Sequence, residues 1–126
     1  MQTTTITDVH TVGLHVADQD EAVEFYVETL GFEKRLDAPI SDTMRWIEVA
    51  PPGATTTIAL IAGDDTPAAA GETGVRFTVP DAEAEHAAMR ESGVDVGDLL
   101  RWDGVPTMYA FRDPDGNGFE IIEESR

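Results

Sequence analysis

The stretch "VGLHVADQDEAVEFYVETLGFE", Val12 to Glu33, decides the reading of this chain, because it recurs in altered form as "VRFTVPDAEAEHAAMRESGVDV", Val75 to Val96. Val12, Leu14, Val16 and Asp18 fall on Val75, Phe77, Val79 and Asp81 at an offset of 63 residues, half of the 126-residue chain. The same offset carries Pro51 onto Pro114 and Gly53 onto Gly116, so that "EVAPPGATTTIAL" becomes the first-half counterpart of "AFRDPDGNGFEII". A strand, a helix cap, a helix and a Pro-x-Gly turn that match at one offset identify an internal duplication.

Each copy reads alike. Val12, Leu14 and Val16 alternate with Thr11, Gly13 and His15, the period of a strand with two different faces. Asp18 follows as a helix N-cap, and with Glu21 it forms a capping box that satisfies free amide donors of the first turn. Ala22, Phe25, Tyr26, Thr29 and Leu30 then repeat at helical spacing, and Gly31 ends the helix. The second helix, "AEAEHAAMRES", has a poorer apolar stripe but strong alanine propensity, and stops at Gly93. Short strands follow each helix: "FEKRLDA", "MRWIEVA" and "TTTIALIA" in the first half, "VDVGDLLRW", "PTMYAFR" and "FEIIEE" in the second. The expected organisation is a βαβββ module over residues 1–62, a Gly-, Pro- and acid-rich linker over 63–74, and a second βαβββ module over 75–126. The fold class is α+β, with mixed sheets and helices outside them.

Composition narrows the functions. Twenty-five acidic residues against eight basic ones give a formal charge of −17, and Lys34 is the single lysine. Such a surface repels phosphates and anionic lipid heads, which argues against nucleic-acid and membrane-surface partners. It reads either as a solvated acidic surface suited to high salt, of halophilic type, or as a field that draws in cationic ligands. Without cysteine there is no disulfide, zinc–thiolate site or thiol nucleophile. No run approaches the ~18 apolar residues of a membrane span, and "MQTTTITDVH" carries no secretory pattern, so a cytoplasmic location is expected.

The order of elements, with the Asp18–Phe32 run "DQDEAVEFYVETLGF" and the Asp113–Asn117 turn "DPDGN", resembles the vicinal oxygen chelate superfamily, which includes glyoxalase I, extradiol dioxygenases, fosfomycin-modifying enzymes and bleomycin resistance proteins. The resemblance covers nearly the whole chain. It implies paired βαβββ modules curled into an open barrel around a cavity, commonly in a homodimer. It also implies a divalent ion, such as nickel, zinc, iron or manganese, which would act as a Lewis acid on two substrate oxygens. In the family the ion is held by side chains on the opening and closing strands of each module. The matching positions here are Thr11, Gly74, Glu120 and either Thr57 or, if the register slips by two, Ala59. Glu120 alone is a useful donor where about three or four must converge. The family's usual metal site is therefore not expected.

Glu120 sits inside the apolar run "FEII" and calls for a partner, because a carboxylate removed from water is costly. It reads as half of an ion pair with Arg76, as a ligand-binding or acid/base group, as a metal ligand, or as a rim residue exposed to solvent. His15 shares the strand face of Thr11 four positions along, about 13 Å away at strand rise. His10 points to the opposite face, and His86 lies on the second helix. Trp46, Met108 and Tyr109 supply aromatic or polarisable surface on strands whose cavity-facing parity the sequence leaves open; Trp46 and Tyr109 coincide under the 63-residue offset. Trp102, in "LLRWDGVP", reads as a loop residue beside a mouth.

Three functions follow. The first is a metal-free binder of a small molecule, with Trp46, Arg76, Trp102, Met108 and Tyr109 as binding residues and a cationic ligand suited to the acidic field. The second is a metal-dependent lyase, isomerase or dioxygenase of the glyoxalase I type. The third is a metal-free enzyme in which Glu120 and His15 form an acid/base pair.

Overall fold

The structure, a computed structural model, describes residues 4–62 and 71–124. Two compact units make up the chain, Met1–Ala62 and Gly63–Arg126, and each carries its own sheet. Positions 63–70 of the expected linker lie outside the described residues, and its last four positions already run as strand.

In the first unit, β1 (Thr11–His15), α1 (Gln19–Val23), β2 (Glu33–Pro39), β3 (Arg45–Ala50) and β4 (Thr57–Ile61) follow in order. The sheet runs β1-β4-β3-β2, with β1 parallel to β4 and the other pairs antiparallel. Asp18 caps α1 as its side chain accepts from the Glu21 amide at 3.0 Å. From Glu24 to Thr29 the helix widens into a π-helical segment closed by the Leu30 amide on the Phe25 carbonyl, where the spacing predicted an ordinary α-helix. Tyr26, fully buried in this segment, sits 5.2 Å from the ring of Phe25 and 5.7 Å from that of Phe32. The chain leaves it through Gly31 at φ +81°, a conformation that costs a side-chain-bearing residue about 1 kcal/mol.

The core beneath this helix is one parity of the sheet. Leu14 pairs with Leu60 and Val49 with Ile58, and these four, with Val16, Ala22 and Ile47, are buried. Each large aliphatic side chain so buried contributes roughly 1.5–3 kcal/mol. The opposite parity carries Thr11, Gly13, His15, Trp46, Glu48, Thr57 and Ala59.

The second unit repeats the plan with β5 (Gly71–Val79), α2 (Ala82–Glu91), β6 (Asp95–Val96), β7 (Leu100–Trp102), β8 (Val105–Arg112) and β9 (Asn117–Glu123). Its order is β5-β9-β8-β6, with β7 also on β8, and β5 parallel to β9. Asp81 caps α2 through the Ala84 amide at 3.1 Å. The single strand expected in "VDVGDLLRW" is two, because at Gly97 the chain leaves β8 after one last bond to the Ala110 carbonyl, 2.8 Å. Phe77, Tyr109, Phe111, Phe119 and Ile121 fill the α2-facing parity, with Phe111 and Phe119 stacked at 5.2 Å. No helix among the described residues is long and apolar enough to cross a membrane.

Candidate functional site

In the second unit the Asp113–Asn117 turn fixes the start of the strand that carries Glu120. The Asp113 carboxylate accepts from the amides of Asp115 (3.0 Å) and Asn117 (2.9 Å) and from the Asn117 side chain (3.0 Å). Gly116 supplies the positive φ, +84°, that the turn needs. This buried network sets β9 so that Glu120 lies between Arg76 on β5 and Ala110 on β8, on the face away from α2.

There Arg76 and Glu120 meet, Nε to Oε1 at 3.1 Å, with both side chains about half exposed. Arg76 Nη2 also reaches the Met108 sulfur at 4.0 Å. Arg76, Met108 and Glu120 thus form one cluster, in which the guanidinium partly satisfies the carboxylate. Tyr109 points the other way. It is buried, its hydroxyl donates to the Met89 sulfur on α2 at 3.3 Å, and burial pushes its hydroxyl pKa up. His86 packs edge-on against its ring at 4.8 Å and bonds the Gly97 carbonyl at 2.7 Å. Trp102 is exposed, in strand β7 and not in a loop, paired with Val105 across a turn at Gly104.

The first unit holds a site that the sequence reading missed. Glu48, on β3, is 8% exposed. One carboxylate oxygen accepts the Trp46 indole N–H at 2.8 Å, and the other accepts the Thr57 hydroxyl at 2.7 Å. Thr57 in turn has the Thr11 hydroxyl 2.9 Å away, and Thr11 donates to the Thr57 carbonyl at 3.1 Å. The Thr57 bond first and the Trp46 bond second hold the Glu48 carboxyl below the usual carboxylate range, outweighing burial, and the charge of His10 acts in the same direction. Glu48 is therefore an ionised group at neutral pH.

Strand logic brings this group together. Trp46 and Glu48 are two residues apart, hence on one face of β3, and Thr11 and Thr57 are direct partners across the parallel pair. His15 lies on the same face of β1, opposite Ile61 at the far end of the pairing. Glu120 and His15 fall in different units.

The pairings also resolve which first-half position corresponds to Glu120. Glu120 faces Arg76 across β5, and Gly13, the counterpart of Arg76 at the 63-residue offset, faces Ala59. The four donor positions therefore hold Thr11, Gly74, Ala59 and Glu120, with Glu120 paired to arginine. Two neutral side chains of weak or no donor strength, a glycine and one ion-paired carboxylate do not fit a divalent ion. Among the described residues no group of three or more His, Cys, Asp or Glu side chains is arranged to hold one.

Comparison with known proteins places these observations. The model of the Glyoxalase/Bleomycin resistance protein/Dioxygenase superfamily matches residues 8–121. A Sphaerobacter thermophilus DSM 20745 member of that superfamily superposes with a TM-score of 0.87 at 36% identity, over 94% of this chain and 98% of that one. TnmS3, an antibiotic binding protein from Streptomyces sp. CB03234, superposes with a TM-score of 0.85 at 32% identity, over 97% and 99%. The Bacillus subtilis (strain 168) protein YetH is 31% identical over 94% of this chain and 99% of its own.

Proposed function

The chain belongs to the Glyoxalase/Bleomycin resistance protein/Dioxygenase superfamily, and we propose that within it the protein binds a small molecule without a divalent ion at the usual donor positions. One observation carries this reading: of those positions only Glu120 bears a strong donor, and its carboxylate is ion-paired with Arg76. Binding without chemistry asks less of the chain. It needs apolar and aromatic surface with a few placed polar groups. Trp46, Thr57 and Glu48 in the first unit and Arg76, Met108 and Glu120 in the second provide these. The likeness to TnmS3, an antibiotic binding protein, supports the same reading.

The test is a thermal-shift screen of chelator-treated protein against neutral and cationic small molecules, repeated with added nickel, zinc, iron or manganese. The reading expects saturable stabilisation by some of them, unchanged by metal. Binding that appears only with metal, or metal-dependent isomerisation of the glutathione–methylglyoxal hemithioacetal, overturns it.

A further inference from the structure

We infer that Glu48 is the anchor for a cationic nitrogen, an amine, amidinium or guanidinium, on the molecule this protein binds. The inference rests on the small-molecule reading above and names the ligand chemistry within it.

A carboxylate with 8% of its surface exposed and no ion pair among the described residues is unusual, because removing an ion from water costs several kcal/mol unless it is compensated. Compensation here comes from two neutral donors, the Trp46 indole and the Thr57 hydroxyl. The cations of the first unit are committed elsewhere. Lys34 pairs with Asp37, and Arg35 with Glu33 and the carbonyls of Pro51 and Ala54. Arg45 pairs with Asp20 and Asp37. The His10 imidazole influences Glu48 only through its charge. Each carboxylate oxygen has two lone-pair directions, so two bonds leave acceptor capacity on both.

The surroundings favour a cation over a neutral donor. A third neutral donor would add one ordinary hydrogen bond, whereas a cation adds attraction that low-dielectric surroundings strengthen. Trp46 is half-buried, and its indole nitrogen is tied to the carboxylate, which places an aromatic ring beside the anion. The chain's charge of −17 raises the local concentration of cations further. The carboxylate accepts the two bonds on separate oxygens and keeps lone pairs to offer a ligand, whereas a glutamine, with one acceptor oxygen and a donor amide, could not accept both.

The test uses the full chain labelled with nitrogen-15 and follows the Trp46 indole N–H resonance during titration with benzamidine and with its neutral counterpart benzamide. Benzamidine is expected to shift the Trp46 resonance saturably, with affinity at least about tenfold above that of benzamide. Glu48→Gln is expected to abolish that preference. If the glutamine variant does not fold, Glu48→Asp keeps the charge one methylene further back, and should weaken benzamidine more than benzamide. Equal affinity of the two probes, or a preference that survives Glu48→Gln, overturns the cation anchor while leaving small-molecule binding intact. No response to either probe, nor to the neutral dye Nile red, overturns both readings together.

Discussion

Replacing Thr57 by valine removes one hydroxyl and keeps the shape of the side chain; it removes the bond that most strongly holds Glu48 ionised, together with the contact of that hydroxyl to Thr11. The Thr57 hydroxyl is 2.7 Å from the Glu48 carboxylate, and both residues are buried. A hydrogen bond to a charged group contributes about 1.5–3 kcal/mol, and the bereft carboxylate keeps only the Trp46 N–H. At roughly 3–5 °C per kcal/mol for a chain of this size, the melting temperature should fall by about 5–15 °C at neutral pH. The loss should depend on pH. A carboxyl whose folded pKa is depressed contributes stability that is present above its unfolded pKa, about 4.3, and lost as pH falls through the folded value. Thr57→Val raises the folded value, so the gap between wild type and variant is widest near pH 7 and narrows below about pH 4. Acid titration of the other carboxylates is common to both proteins and cancels in the difference. Urea unfolding at several pH values, followed by tryptophan fluorescence, measures that difference. A loss below about 0.5 kcal/mol at pH 7, or one that is equal at pH 7 and pH 3, would show that the Thr57 hydroxyl does not stabilise an ionised Glu48.

Two further perturbations probe the second unit. The Arg76–Glu120 pair is about half exposed on both sides, so a double-mutant cycle with Arg76→Met and Glu120→Gln should return a coupling of only about 0.2–1 kcal/mol that shrinks in 1 M salt. A salt-insensitive coupling above about 2 kcal/mol would show that the pair is more deeply desolvated than the geometry gives. Asp81→Ala removes the acceptor for the Ala84 amide at the start of α2 and should cost about 1 kcal/mol in urea unfolding, with Asp81→Asn recovering most of it.

Much of the fold was legible because the duplication repeats its punctuation. Asp18 and Asp81 cap their helices, Gly31 and Gly93 leave them at φ +81° and +84°, and Gly53 and Gly116 turn at +81° and +84°. These are local requirements that a residue type announces by itself. The site was less legible because a single offset does not hold along the strands. The pairings put Glu48 and Ala110 in equivalent places at an offset of 62, and Ala59 and Glu120 at 61. A one-residue slip turns a strand side chain to the other face, which is why Trp46 lies beside Glu48 while Tyr109, its partner at 63, lies under α2.

Glu48 escaped notice for a related reason. In "RWIEVA" a glutamate beside apolar residues reads as the solvent face of a strand, and its burial depends on Thr57, nine residues on, in another strand. The spacing of Trp46 and Glu48 was the available signal, since an indole N–H two residues from a carboxylate shares its face. The Arg76–Glu120 pair was accessible from sequence because both residues lie on the same parity of strands that the duplication aligns. The π-helical segment carried no signal, as its apolar spacing is that of an α-helix.

Titration of chelator-treated protein with nickel and with zinc, read by calorimetry and by elemental analysis after gel filtration, decides whether the four donor positions take up a divalent ion. The donor set of Thr11, Gly74, Ala59 and an arginine-paired Glu120 predicts no stoichiometric uptake of either ion. One ion retained per chain and lost in Glu120→Ala would contradict it.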